Sequence, residues 1–361
     1  MAEPRIIRNA FFNPGSFCFS LYLIGGAPCA FHVKALLNMK SPSDLYFRKA
    51  SAIQGDEMKF IRDNESSERI FQWMKTHQRK EQKMNYDYPY CKKAADFLKT
   101  KISFQPDVGI ILGSGLGPLA KAIEEPVEIP YQDIPHFLLS TAPDQEGKMI
   151  FGKIRGKKVM CMSGRFHYYE GYDFEQLVLP VRVMALMGIE ALIITNAAGG
   201  VNLSYQPGDV MVIKDQIKLM GASPLRGQNE EKFGPRFFDL SDLYTKKLRD
   251  LAKEVGKKTG FPLQEGVYFF MPGPQYESAA EIRAIRVLGG DAAGMSTVTE
   301  ALTAAHLGLP LLGFSLITNM GTGISKNQLS SDEVKEMADQ VADRFSSYMA
   351  DLIEALRLPV C

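Results

Sequence analysis

The chain has 361 residues, of which 45% are hydrophobic, so it is long enough to bury one large core or two smaller ones. Its 42 lysines and arginines nearly balance its 41 aspartates and glutamates, and the net charge of +1 gives no overall field that would attract nucleic acid or an anionic membrane surface. No run of residues approaches the roughly 20 apolar positions that a membrane helix needs. Any anion site must therefore be local.

Residues 1–84 differ in character from the rest of the chain, and we interpret them as an N-terminal extension ahead of a main domain, residues 85–361. The apolar run from Phe17 to Ile24 comes after two arginines and loosely resembles a signal peptide, but an Asn-Pro-Gly sequence interrupts its approach. The charged stretch 49–83 is compatible with a peripheral helix or with a disordered lead-in.

From Tyr90 onwards, strand-like and helix-like segments alternate. Strands are predicted at 108–112, 159–162, 191–195, 210–213, 267–271 and 311–318, and helices at 90–100, 174–187, 241–258, 278–288, 298–306 and 332–356. Such alternation is typical of a three-layer α/β fold, in which helices flank a mixed, mostly parallel central sheet. Ligands of these folds bind beyond the carboxyl ends of the strands.

A glycine-rich turn, Gly113-Ser-Gly-Leu-Gly117, comes after the first of these strands and precedes a helix start. Its backbone N–H groups and the positive end of the helix suit an anion. A dinucleotide site is the obvious alternative, but Pro118 takes the third glycine position of the G-x-G-x-x-G pattern, and prolines interrupt Glu128–Pro135, where a ribose-binding acid is expected. A shifted register that ends at Ala120 keeps the alternative open.

Two other strand ends carry residues suited to an oxyanion. Arg165 offers a fixed fork of donors and His167 can reach the same ligand, although each residue also fits a structural role. The sequence Asn196-Ala-Ala-Gly-Gly200 can form a nest of backbone N–H groups. Several such elements in one chain strengthen the case for phosphate.

The last strand ends offer a third oxyanion residue and groups that read an organic ligand. Ser296 precedes a helix for which the spacing of Thr297 and Glu300 predicts a capping box. Tyr276-Glu277 places an aromatic face beside a carboxylate, and Asn319 ends an apolar strand with an amide. An aromatic ring can stack on a heterocycle, while carboxylates and amides hydrogen-bond to its edges.

In this order and spacing, the motifs GSGLG, GRFHYYEGY, TNAAGG, GPQYE, GMSTVTE and SLITN resemble the trimeric purine nucleoside phosphorylases, from about Asn85 to the C-terminus. The resemblance implies a homotrimer that carries out phosphorolysis of purine nucleosides in purine salvage. Its partners would be the nucleoside and inorganic phosphate, with no metal or organic cofactor, no nucleic acid and no membrane. A cytoplasmic location agrees with the five cysteines, which are odd in number and include no C-x-x-C pair.

The resemblance also assigns roles to individual residues. Phosphate would be held by Ser114, Arg165, His167, the Ala197 amide and Ser296. The nucleoside would contact Tyr169, Tyr276, Glu277, Met295, Asn319 and Ser331. Asn319, His167 and Glu277 would be catalytic. The amide of Asn319 would donate to N7 of the departing purine, and Glu277 would accept the N1–H of a 6-oxopurine, which favours inosine and guanosine over adenosine.

Three positions depart from the family's pattern, because Gln145, Gln216 and Ser331 stand where histidines are usual. Two alternatives therefore stay open. One is a sister phosphorylase for 5′-modified nucleosides, since Ser331 would leave room beside the 5′ position. The other is a catalytically weak protein that binds nucleoside or phosphate in a regulatory role.

Overall fold

The computed structural model describes residues 86–113, 117–142, 146–325 and 329–360, except for the side chains of Ser331 and Glu333, together with the backbone of four strands within residues 11–50. The chain divides into two compact units, Met1–Met84 and Asn85–Cys361. In the first unit, an antiparallel sheet contains β1 (Phe11–Asn13), β2 (Ser16–Tyr22), β3 (Ala30–Ala35) and β4 (Tyr46–Ala50), in that order. Most of the run that resembles a signal peptide is thus strand β2, and residues 51–83 of the charged stretch lie outside the described residues.

The second unit is built on one mixed sheet with nine strands among its described residues. They are β5 (Val108–Ile111), β6 (Glu124–Pro130), β7 (Lys148–Ile154), β8 (Lys157–Ser163), β9 (Ala191–Gly200), β10 (Val210–Ile217), β11 (Gln264–Phe270), β12 (Ala292–Gly294) and β13 (Leu311–Met320). The order across the sheet is β12-β11-β10-β13-β9-β5-β8-β7-β6, and β12 also pairs with β9. Strands β9 to β13 therefore close on themselves as a small barrel.

Helices cover both faces of this sheet. They are α1 (Tyr88–Lys99), α2 (Pro118–Lys121), α3 (Leu179–Met187), α4 (Lys246–Thr259), α5 (Ala279–Val287), α6 (Val298–His306) and α7 (Ser331–Ala355). In β5, Ile111 packs into a core with α1, α3 and α6, whereas Val108 and Ile110 pack into a second core with α4 and α7. Because successive strand residues point to opposite faces, this alternation produces the three layers and confirms the predicted fold class. None of the helices in the described part of the chain is long and apolar enough to cross a membrane.

The main error in the predicted strands concerns the segment that prolines were expected to interrupt. Residues Glu124–Pro130 form strand β6, which lies at the end of the sheet and pairs with β7 alone. Proline has no N–H to donate to a neighbouring strand. An edge strand tolerates it, because one side of such a strand has no neighbour that requires a donor. Strands β7 and β12 were also absent from the prediction.

Two predicted helices begin later than expected. Residues 173–178 form consecutive turns, in which the N–H of Gln176 bonds to the carbonyl of Asp173, and helix α3 starts only at Leu179. Helix α4 starts at Lys246, whose N–H donates to the side chain of Asp242 at 2.7 Å. In both cases local turns satisfy backbone groups that the apolar periodicity had assigned to the helix.

Candidate active site

A pocket opens near the ends of β8, β9, β12 and β13, where α6 begins. It is lined by most of the residues that the sequence singled out, namely Arg165, His167, Tyr169, Ala197, Tyr276, Glu277, Met295, Ser296 and Asn319. These residues span more than 150 positions in the sequence, so the sheet is what brings them together. Their individual roles in binding and catalysis remain predictions.

Arg165 lies just after β8 and lines the pocket, with 1% of its surface exposed. Its Nη1 donates to the carbonyl of Thr195 at 2.7 Å and to Oγ of Ser296 at 3.1 Å, and its Nε lies 3.2 Å from Oε1 of Glu300. A buried guanidinium needs such compensation, because its desolvation is costly. The contacts fix its fork at the pocket wall rather than on the protein surface.

Glu300 was predicted to cap helix α6, and that prediction is wrong. Thr297 makes no side-chain cap, and its Oγ1 instead accepts a hydrogen bond from Nδ2 of Asn196 at 2.9 Å. Glu300 is 5% exposed and pairs with Arg165. The capping pattern cannot distinguish a carboxylate that serves its own helix from one that serves a distant arginine.

The segment 196–200 is not a nest of N–H groups, as predicted, but the second half of strand β9. It pairs in parallel with β13 and antiparallel with β12. Successive amides of a paired strand point to opposite sides, so they cannot all converge on one ligand. Ala197 nevertheless lines the pocket. At the adjacent end of β5, a Cβ on Gly113 would lie 2.5 Å from Cα of Asn196, so this glycine allows two backbones to meet.

His167 is held by a carboxylate that the sequence analysis missed. Glu170 accepts hydrogen bonds from the backbone N–H of His167 at 2.8 Å and from its Nδ1 at 2.9 Å, and also from the backbone and hydroxyl of Thr141. Burial lowers the pKa of His167 despite this neighbour. Because Nδ1 carries the hydrogen that faces Glu170, the neutral ring at pH 7 keeps its Nε2 as an acceptor.

For Glu170 itself, burial alone would raise the pKa, but the hydrogen bonds from His167 and Thr141 together lower it to about 2. Its side chain is 2% exposed. The carboxylate thus stays ionised and ties His167 to the loop at Thr141.

Asn319 lies near the end of β13 beside an irregularity in the sheet. The register with β9 shifts between Ile317 and Asn319, so that Thr318 is the extra residue of a bulge. The hydroxyl of Thr318 donates to Oδ1 of Asn319 at 2.9 Å, and Nδ2 of Asn319 donates to the carbonyl of Met320 at 3.2 Å. With its oxygen engaged, the amide keeps a second N–H as a donor. Bulges often re-aim side chains in this way.

Glu277 is 8% exposed, and its Oε1 has no hydrogen-bond partner among the described residues. Burial raises its pKa. Tyr276 beside it is 42% exposed, and the ring of Tyr169, which also lines the pocket, stacks on His167 with 4.6 Å between centroids. A buried carboxylate oxygen without a partner, on a residue that lines a pocket, is suited to a ligand that carries an N–H group.

Four predicted positions do not contribute described side chains to this pocket. Ser114 and Gln145 lie outside the described residues, and Ser331 begins helix α7 with its side chain also outside them. Gln216 is described away from the lining residues, and its Oε1 accepts from the hydroxyl of Tyr244 at 2.8 Å. That bond gives this glutamine a structural role on β10.

The residues that sequence reasoning missed are mainly those that support others, such as Asn196, Glu170 and Glu300. One signal was available, because Glu300 stands in a helix that is otherwise rich in buried apolar and small residues, and a buried carboxylate requires a partner. The remaining contacts depend on strand neighbours that no local motif specifies.

The fold and the pocket define an α/β protein with a binding site at the carboxyl ends of its strands, lined by cationic and hydroxyl groups together with a carboxylate and an amide. A model of the phosphorylase superfamily matches residues 107–354. Purine nucleoside phosphorylase 1 of Geobacillus stearothermophilus is 50% identical over 261 residues, which are 72% of this chain and 95% of the relative. Purine nucleoside phosphorylase of Bos taurus is 42% identical over 278 residues, or 75% of this chain and 96% of the relative.

Solved structures agree. A Schistosoma purine nucleoside phosphorylase in complex with hypoxanthine has a TM-score of 0.73 at 39% identity and covers 76% of this chain and 99% of its own. The Schistosoma mansoni enzyme in complex with inosine gives 0.73 at 38% identity, with the same coverage. The chain therefore belongs to the phosphorylase superfamily and, within it, to the purine nucleoside phosphorylases. The family predicted from the motifs is confirmed.

Proposed function

We propose that this protein catalyses the reversible phosphorolysis of 6-oxopurine nucleosides, such as inosine, guanosine and their deoxy forms, in purine salvage. The observation that carries the proposal is the composition of one pocket. Arg165, Ser296 and His167, which are suited to an oxyanion, line the same pocket as Glu277 and Asn319, which are suited to the edges of a purine. The family membership supports the same reaction.

In this reaction an oxygen of inorganic phosphate forms a bond to C1′ of the ribose, and the bond from C1′ to the purine breaks. The purine leaves with the electron pair and is released after protonation, and the other product is ribose 1-phosphate. The ribose passes through an oxocarbenium-like state, which a bound phosphate dianion stabilises. Phosphate is a co-substrate, and the reaction as proposed requires no metal or organic cofactor.

The donors around Arg165 would hold the phosphate, with Ser114 and the Ala197 amide as further proposed contacts. Neutral His167 would accept a hydrogen from a hydroxyl of the phosphate or the ribose. Tyr169 and Met295 would border the ribose, together with Ser331. The free N–H of Asn319 would donate to N7, where negative charge accumulates as the purine departs, and so would stabilise the transition state more than the ground state.

Base choice would depend on Glu277. A 6-oxopurine has an N–H at N1, whereas adenine has an acceptor there, which would face the carboxylate without a hydrogen between them. Tyr276 would flank the base. We further propose a homotrimer in the cytoplasm, on the basis of the family's motifs and the cysteine usage, and sedimentation of the purified chain would test the oligomeric state.

The test is to incubate the full chain with inosine, with and without phosphate, and to follow hypoxanthine and ribose 1-phosphate. We expect turnover that depends on phosphate. A parallel panel contains guanosine, adenosine and a 5′-deoxy-5′-methylthio nucleoside, and faster turnover of the last would identify the sister enzyme instead. If no purine nucleoside turns over while calorimetry shows binding, the protein is a binder and the proposed activity is wrong.

A further inference from the structure

The turn that carries Ser296 has a backbone conformation that few residues adopt. Thr297 has φ +73° and ψ −48°, and the N–H of Val298 donates to the carbonyl of Ser296 at 2.8 Å. These features describe a γ-turn of the rare kind, with φ near +75° at its central residue. Because threonine is β-branched, positive φ is strained there, and the surrounding structure must hold the turn in place.

Asn196 holds this turn from strand β9. Its Nδ2 donates to Oγ1 of Thr297 at 2.9 Å, and both side chains are almost fully buried, with exposed fractions of 1% and 0% for the two residues. The position of Asn196 is fixed in turn, since it pairs with Ser315 in the parallel ladder of β9 and β13. The strained turn is thus anchored to the centre of the sheet.

The hydrogen bonds around Thr297 take their direction from the amide of Asn196, whose Nδ2 faces Thr297 in this structure. An amide NH₂ group can only donate, so Oγ1 of Thr297 is an acceptor towards Asn196 and has its own hydrogen to place. The acceptor described within reach is Oγ of Ser296, at 3.1 Å. That same oxygen accepts from Nη1 of Arg165 at 3.1 Å.

Ser296 Oγ therefore receives two hydrogen bonds, from Thr297 and from Arg165, and these occupy both of its lone pairs. Its own hydrogen is then left for another acceptor. One is the hydroxyl of Tyr268, with which the Ser296 side chain interacts, and the other is a ligand in the pocket that Ser296 lines.

We propose that Asn196 and Thr297 are positioning residues that fix the direction of the Ser296 hydroxyl, so that the serine meets inorganic phosphate as a hydrogen donor. This inference rests on the proposed phosphorolysis, because it assigns phosphate to the wall formed by Arg165 and Ser296. The chain Asn196 to Thr297 to Ser296 orients the donor before the anion arrives. A serine whose hydroxyl rotates freely would have to be ordered on binding.

The test is the substitution Thr297→Val, which keeps the β-branched shape of the side chain and replaces the hydroxyl with a methyl group. Titration of inorganic phosphate into the full chain by calorimetry, without nucleoside, should show a Kd raised roughly tenfold, as for the loss of about one hydrogen bond. In steady-state assays the KM for phosphate should rise with it, while the KM for inosine stays near the wild-type value. Thr297→Ser restores the hydroxyl and should restore phosphate affinity.

Thr303→Val is the matched control. Thr303 is also fully buried in helix α6, but its hydroxyl donates to the carbonyl of Thr299 at 2.7 Å and it does not line the pocket. This variant should lose stability without a change in phosphate affinity.

A double-mutant cycle with Ser296→Ala separates positioning from general damage. If Thr297 acts through the serine, Thr297→Val should have little further effect on phosphate binding once Ser296 is alanine, whereas purely structural effects would add. Equal losses in both backgrounds, or unchanged binding in Thr297→Val, overturn the inference. If Thr297→Val fails to fold, Asn196→Ala tests the same chain from its other end by the same measurements. A wild-type protein that binds no phosphate refutes the proposed function itself.

Discussion

The substitution Glu277→Gln tests how this pocket selects its base. Glu277 is 8% exposed, and its Oε1 has no hydrogen-bond partner among the described residues, so a ligand N–H would bond to an acceptor that is already in place. A hydrogen bond to a charged group contributes about 1.5–3 kcal/mol, which corresponds to a change of about 10- to 150-fold in kcat/KM. We expect Glu277→Gln to lower kcat/KM for inosine by such a factor.

Adenosine should respond differently. The amide of glutamine can donate to N1 of adenine, so kcat/KM for adenosine should stay constant or rise, and the ratio of the two values should collapse. The assay is steady-state phosphorolysis of both nucleosides at saturating phosphate. Glu254→Gln, an exposed substitution on helix α4, is the matched control and should leave the ratio unchanged.

The pH dependence gives a second measure of the same group. Because burial raises the pKa of Glu277, its acceptor is lost at a higher pH than for an exposed glutamate. In the wild type, the ratio of kcat/KM for inosine to kcat/KM for adenosine should therefore decline as the pH falls through that raised pKa. In Glu277→Gln the same ratio should not change with pH. An equal loss for inosine and adenosine, with the pH profile unaltered, would refute the assignment of Glu277 to the base.

Two further predictions concern neighbouring residues. Asn319→Ala should lower kcat by about 10²- to 10³-fold with little change in the KM for inosine, because the lost donor acts on charge that develops in the transition state; an unchanged kcat in steady-state assays contradicts this role. For Glu170, the folded-state pKa of about 2 lies below the ordinary 4.5, so the stability that it contributes is present above the ordinary pKa and is lost as the pH falls towards the folded value. Glu170→Gln should thus lower the free energy of unfolding at neutral pH. The difference between the variant and the wild type should disappear in acid, as measured by urea unfolding at both pH values.

The sequence was sufficient to predict the strands and helices that have a strong apolar pattern. It was also sufficient to predict the pocket residues that lie at the ends of those strands. Six strands were predicted in place because each is a continuous apolar run, and both cores accept such runs on their faces. The edge strand β6 was missed because its burial is confined to Ile129, which leaves no apolar pattern to detect. Helix starts were misplaced where turns such as 173–178 share the composition of the helix after them.

Apart from the need of Glu300 for a partner, the supporting contacts of the pocket could not have been predicted, and the closure of the sheet explains why. Strand β12 pairs with β9 through Ala292 and Ala293, and this pairing joins Gly200 to a segment more than ninety positions away. The closure brings Asn196 within hydrogen-bond distance of Thr297, and Thr297 in turn contacts the hydroxyl of Ser296, whose direction we propose it fixes. The spacing of Thr297 and Glu300 predicts a capping box, because within one helix these side chains can bond to the free N–H groups at its start. In the closed barrel, Glu300 pairs with Arg165 and Thr297 accepts from Asn196, and neither side chain caps helix α6. Leaving a buried guanidinium or a buried amide unpaired costs more free energy than leaving the helix end uncapped, because that end still forms a hydrogen bond through the γ-turn.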